Sequence, residues 1–159
     1  MGYYNSIANG YEELYREEQL NKLDIIKNNI KINKNTKILD VGCGTGISSD
    51  FDCFVVGVDP SMGLLNQNKY PMKLLGTAEA LPFRSNEFDY VISITALHNF
   101  QNIKKSIDEA KRVGRHNFIF SILRKSGKYS QIKNLIEKSF KICNVIEEGK
   151  DTIFLCRKL

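Results

Sequence analysis

A chain of 159 residues, 42% hydrophobic and 26% charged, can form one domain with a packed core but not two of ordinary size. Its apolar runs, such as Phe54–Val58 and Phe118–Leu123, fall far short of the ~20 residues of a membrane span. Met1–Gly10 lacks the basic start and apolar stretch of a secretory signal, so a cytoplasmic location is expected.

Glu12 to Lys31 reads as an amphipathic helix, with Leu14, Leu20, Leu23, Ile26 and Ile30 at helical spacing. Lys37–Val41 is a short apolar strand running into glycines, and Phe54–Val58 is a second, ending at Asp59. Met72–Leu75 is a weaker third, Phe88–Thr95 a strong fourth and Asn117–Leu123 a fifth. Ile103, Ile107, Ala110 and Val113 mark one helix face, and Tyr129, Ile132, Leu135, Ile136 and Phe140 another. Ile142–Glu147 and Thr152–Arg157 close the chain as a hairpin around Glu-Gly-Lys-Asp. Strands alternating with helices predict an α/β fold: a Rossmann-like, seven-stranded, mostly parallel sheet with a C-terminal antiparallel hairpin and helices on both faces. A single domain over residues 1–159 is expected, with an N-terminal arm and helix in 1–35 and the core in 36–159.

The formal net charge of +5 is uneven. Residues 1–100 hold 9 basic and 12 acidic residues, residues 101–141 hold 11 and 3, and the last 18 residues balance. Such a positive stretch draws anionic partners, although a solvated face is the plainer account. Cys43, Cys53, Cys143 and Cys156 form no C-x-x-C pair and there are two histidines, so no metal site is expected. Free thiols fit a reducing compartment.

The chemistry concentrates in Ile38–Gly46, ILDVGCGTG. An apolar strand delivers the chain to Gly42, Gly44 and Gly46, where a ligand can approach bare backbone. Ligands of open α/β sheets sit beyond the strand carboxyl ends. Asp59, at the end of the next strand, is placed to accept hydrogen bonds from two ribose hydroxyls. A dinucleotide fingerprint would put its third glycine one residue later, where Ile47 stands.

ILDVGCGTG, VVGVDPS (Val55–Ser61) and GTAEALPFRSNEFDYVISI (Gly76–Ile94) resemble successive motifs of class I S-adenosylmethionine (SAM)-dependent methyltransferases. Within these they look most like the group holding ubiquinone/menaquinone-biosynthesis and tRNA wobble-uridine methyltransferases. The resemblance implies a SAM site in which Gly42, Cys43, Gly44 and Gly46 line the methionine part and Asp40 orients the loop or reaches the amino group. Asp59 would hold the ribose, Pro60, Ser61 and Met62 would flank the adenine, Thr77, Ala78 and Glu79 would lie by its ring, and Ile94–Leu97 would floor the methyl. Three departures from the family stand out: Thr77 where relatives are often acidic, a short Ile47–Cys53 segment, and VGRHN (Val113–Asn117) in place of a lysine-proline-glycine-glycine turn.

The acceptor is less marked, because methyl transfer from a sulfonium needs mainly an aligned nucleophile and excluded water. His98, after the fourth strand, is the candidate base, with packing as its bland alternative. Asn99 and Phe100 would share its wall. Tyr3, Tyr4 and Tyr11 would form a lid or pack loosely, and Arg16 would meet the SAM carboxylate or solvent. Arg124, Lys125 and Lys128 should lie at the cofactor-facing edge and hold phosphates. These features favour RNA, such as tRNA, over a small acidic metabolite. The wobble-uridine relatives also suggest a small zinc-ribbon activator subunit docked on an exposed apolar edge. A non-catalytic SAM-binding or regulatory subunit is the alternative, and a dinucleotide oxidoreductase the third class.

Overall fold

The computed structural model describes residues 2–159, and side chains from residue 13 onward. In chain order the elements are α1 (Gly2–Asn29), β1 (Lys37–Val41), β2 (Phe54–Asp59), α2 (Met62–Gln67), β3 (Lys73–Leu75), β4 (Phe88–Ile94), α3 (Ile103–Val113), β5 (Gly114–Leu123), α4 (Tyr129–Ser139), β6 (Phe140–Glu148) and β7 (Asp151–Lys158). Single 3-10 turns stand at Ile47–Ser49 and Leu97–Asn99. The seven strands form one sheet in the order β3-β2-β1-β4-β5-β7-β6. Strand β7 runs antiparallel to both its neighbours, and the other pairings are parallel.

The sheet divides the core in two. Beneath α3 and α4, Phe118, Phe120, Phe140 and Phe154 are fully buried with Val91 and Ile107. On the other face Leu23 and Ile26 of α1 bury against Ile38, Ile92, Ile119 and Ile153. Full burial stabilises each of those two side chains by roughly 1.5–3 kcal/mol, and Ile25 packs beside them to seat the helix on the sheet. Strand β1 is buried from Ile38 to Val41 because both its faces are covered. Helix α3 starts where Asn102 caps it, accepting a hydrogen bond from the Lys105 N–H at 3.0 Å.

Two strands depart from expectation, and helix α1 begins at Gly2 and ends at Asn29 rather than running from Glu12 to Lys31. Strand β5 begins at Gly114 rather than Asn117, because Gly114 pairs with Phe88 and a bulge then absorbs the extra residues. A side chain at Gly114 would collide with the Phe118 ring, so a glycine is required there. The VGRHN stretch is thus mostly strand, not a turn. Strand β6 starts at Phe140, directly after α4, with a bulge between Ile142 and Asn144. The short segment after the glycines condenses to one 3-10 turn, and Phe51 buries on the α1 side of the sheet.

Candidate functional site

Beyond the carboxyl ends of β1, β2 and β4 lies a cavity of about 340 Å³, within the range of small-molecule sites. Its floor is the loop Gly42–Thr45. Gly42 has φ +79°, and a β-carbon there would stand 2.7 Å from that of Ala96. Only glycine allows both that backbone and that approach. Gly46 serves another purpose. Its φ is +90°, and a β-carbon would strike Asn68 and Tyr70, so it closes the loop by packing and stands outside the cavity wall.

The Asp59 carboxylate holds this loop from β2. Its Oδ2 accepts from the Gly44 N–H at 2.9 Å and its Oδ1 from the Ser61 N–H at 2.8 Å. Each oxygen keeps a second lone pair, and the side chain faces the cavity. Asp40 does not reach the cavity wall. It is fully buried beneath the loop, and its Oδ2 accepts from the hydroxyls of Ser48 and Ser49 at 2.8 and 2.7 Å. Its Oδ1 has no partner among the described residues. Burial raises its carboxyl to about 6, against the two serine bonds, which lower it; the Asp59 charge adds to the rise. Its place is that of an internal brace for the loop. Burial likewise pushes the Cys43 thiol to about 12, so that sulfur is inert as a nucleophile.

The β4 end is built on strain and a buried ion pair. Thr95 lines the cavity with φ +52°, a conformation few non-glycine residues adopt. Its Oγ1 donates to Asp151 Oδ2 at 2.7 Å and accepts from Lys22 Nζ at 2.8 Å. Lys22 also pairs with Asp151 at 3.1 Å, their side chains 5% and 3% exposed. The pair ties α1 to the start of β7. Earlier on α1, Gln19 and Tyr15 line the cavity.

The structure gathers Gly42, Cys43, Gly44, Asp59, Pro60, Ile94 and Asn99 around one space. Ser61 instead caps α2 through the Leu64 N–H, and Met62 is exposed. Thr77, Ala78 and Glu79 begin beside Asp59, whose carbonyl accepts from the Gly76 N–H at 3.1 Å. Ala78 is in the core, and Glu79 accepts from the Asn102 N–H. His98 shares a single turn with Asn99 but does not line the cavity; its Nδ1 is buried with no partner among the described residues, and burial lowers its pKa. Asp151 opposes that shift and Lys128 adds to it. Arg16 is exposed. The lid residues Tyr3, Tyr4 and Tyr11 lie outside the residues whose side chains are described.

The basic edge after β5 is only partly free. Arg124 donates to the carbonyls of Gly149 and Asp151 and so locks the β6–β7 turn. Lys128 Nζ donates to the His98 carbonyl at 3.2 Å, and Lys125 is exposed. Sequence reading missed Tyr15, Gln19 and Lys22, and it placed Thr95 in the cavity floor without its link to Lys22 and Asp151. A polar stripe recurring on α1 at positions 15, 19 and 22 was the available signal.

A methyltransferase domain model matches residues 39–122. An uncharacterized protein of Methanocaldococcus jannaschii is 31% identical over 160 residues, covering 95% of this chain and 62% of that protein. The 18S rRNA (guanine(1575)-N(7))-methyltransferase of Saccharomyces cerevisiae is 35% identical over 104 residues, 58% of this chain and 38% of its own. The chain thus spans less than two thirds of either relative. Among solved structures, a complex of the Haloferax volcanii Trm112 methyltransferase activator with its candidate methyltransferase matches with a TM-score of 0.79 at 10% identity, over 95% of each chain.

Proposed function

Since the chain belongs to the methyltransferase domain family, we propose that it is a SAM-dependent methyltransferase with its donor in the glycine-loop cavity. The observation that carries this is the Asp59 carboxylate, fixed by two backbone N–H groups over bare backbone, with lone pairs left for a ribose diol. The residues fit SAM. Asp59 and Leu64 suit the nucleoside over β2, and Gly42–Thr45 suits the methionine chain over β1. Gln19, Thr95 and Asn99 supply polar groups at the β4 end. When bound, SAM supplies the electrophilic methyl. The chain's part is to orient the donor and to exclude water with α1 and Phe100, and His98, the residue before Asn99 of the cavity wall but not itself in that wall, is the proposed proton acceptor. Burial favours the neutral imidazole, which is the form that accepts a proton.

For the acceptor, RNA is favoured over a small acidic metabolite. The yeast relative is named as an rRNA methyltransferase, and Lys125 and Lys128 stand on the same pole as the cavity. A small zinc-ribbon activator subunit completes this reading. The fold resembles that found in a complex with a methyltransferase activator. The sheet's β3 edge also leaves Phe54, Met72, Leu74 and Leu75 exposed beside a hollow of about 410 Å³.

The test is calorimetric. Asp59→Ala should weaken SAM binding by roughly 1–3 kcal/mol through lost charged hydrogen bonds. Unchanged affinity removes Asp59 from the site. Labelled methyl transfer to native RNA, with co-purified partners present, separates an enzyme from a subunit that binds SAM without transfer.

A further inference from the structure

The pole of the sheet opposite the glycine loop carries a second concentration of charge, which the donor cavity does not use. There β5 and β6 begin and β7 ends. Arg157 on β7 stands directly across from Asn117 on one side and Lys141 on the other. Like charges directly opposite on neighbouring strands destabilise a sheet, and Lys141 and Arg157 are both exposed. No carboxylate of the described residues lies within 4 Å of Lys111, Lys141, Arg157 or Lys158. Asp89, near the same pole, is already engaged by Arg115 and by the Lys37 N–H. Lys158 Nζ donates to Asn86 Oδ1 at 2.9 Å, but no carboxylate among the described residues neutralises this cluster.

The surface is also hollow. Cavities of about 400 and 350 Å³ share Asn117 and Arg157 in their walls. The first adds Lys31, Tyr90 and Asn144, and the second adds His116 and Lys158. Cations set among side-chain amides and rings are the combination that contacts phosphates and stacks bases. An acidic protein would need the cations but not the amides.

We propose that this groove binds the phosphodiester backbone of RNA as a site separate from the donor cavity. The methyl-donor reading is not required for it. RNA anchored here would be held at one pole while the other pole presents the methyl.

The experiment uses the full chain and a labelled 20-nucleotide single-stranded RNA of mixed sequence, followed by fluorescence anisotropy over a series of KCl concentrations. Lys141→Gln with Arg157→Gln should lower the salt slope of log K by about 1.4, at ~0.7 per phosphate contact on a single strand. SAM affinity should stay unchanged, and Tm should not fall, because the variant relieves a like-charge pair. A salt slope equal to wild type overturns the proposal. So does displacement of the RNA by poly-L-glutamate at equal charge concentration, which would mark a surface for acidic protein. Failure of wild type to bind SAM in the same preparation would count against the donor reading alone.

Discussion

Lys22→Met tests whether the ion pair behind the cavity is essential to the fold. Wild type holds Lys22 3.1 Å from Asp151 and 2.8 Å from Thr95 Oγ1, with both charged side chains almost fully buried. Removing the ammonium leaves the Asp151 carboxylate in the interior with the Thr95 hydroxyl as its remaining close donor. Breaking a buried pair in this way costs about 3–5 kcal/mol. For a chain of this size each kcal/mol moves Tm by roughly 2–4 °C, so a fall of roughly 6–20 °C is expected. The companion is Lys22→Met with Asp151→Asn, which removes both charges and leaves an amide able to bond Thr95. It should recover most of the loss, because the penalty lies in the orphaned charge rather than in the missing contact. Urea unfolding of the four proteins at pH 7 forms the double-mutant cycle. A single-variant loss below ~1 kcal/mol, or a double variant no better than the sum of the singles, would refute the reasoning.

Asp40 gives a pH signature. Its carboxyl rises from 3.8 to about 6 on folding, so the folded state holds the proton more tightly than the unfolded chain. Its contribution is therefore favourable below pH ~4 and is lost as pH climbs through 6, leaving a cost of roughly 3 kcal/mol at neutrality. Relative to wild type, Asp40→Asn should gain by up to that amount between pH 4 and pH 7 in urea titrations. Parallel curves would show that the burial cost is relieved another way. Gly42→Ala should cost about 1–3 kcal/mol by forcing φ +79° on a side chain that meets Ala96, and should abolish SAM binding. Thermal melting and calorimetry check the two halves, and an intact site in a stable Gly42→Ala chain would contradict the loop geometry.

Most of the architecture was legible in the sequence because buried parallel strands and amphipathic helices leave periodic traces. KILDV and the 103–113 face of α3 are such cases. Strand β5 was read short because Arg115 and His116 sit in a bulge and break the apolar run before Asn117. Gly42, Gly44 and Asp59 were legible as a site because their spacing reflects one local turn between two strand ends. Lys22 and Asp151, 129 residues apart, left no such trace. A buried lysine looks like a surface lysine until its partner is placed. Asp40 was visible as a residue but not as a brace, since that role rests on the hydroxyls of Ser48 and Ser49 turning beneath the loop.

Helix α1 is both roof and wall. Tyr15 and Gln19 border the cavity, and Leu23 and Ile26 seat the same helix on the sheet. Occupancy of the cavity and attachment of the helix therefore form one thermodynamic cycle. Whatever coupling free energy a bound molecule lends to attachment, attachment returns as affinity. An agent that pries the helix loose would compete with the donor without ever entering its site.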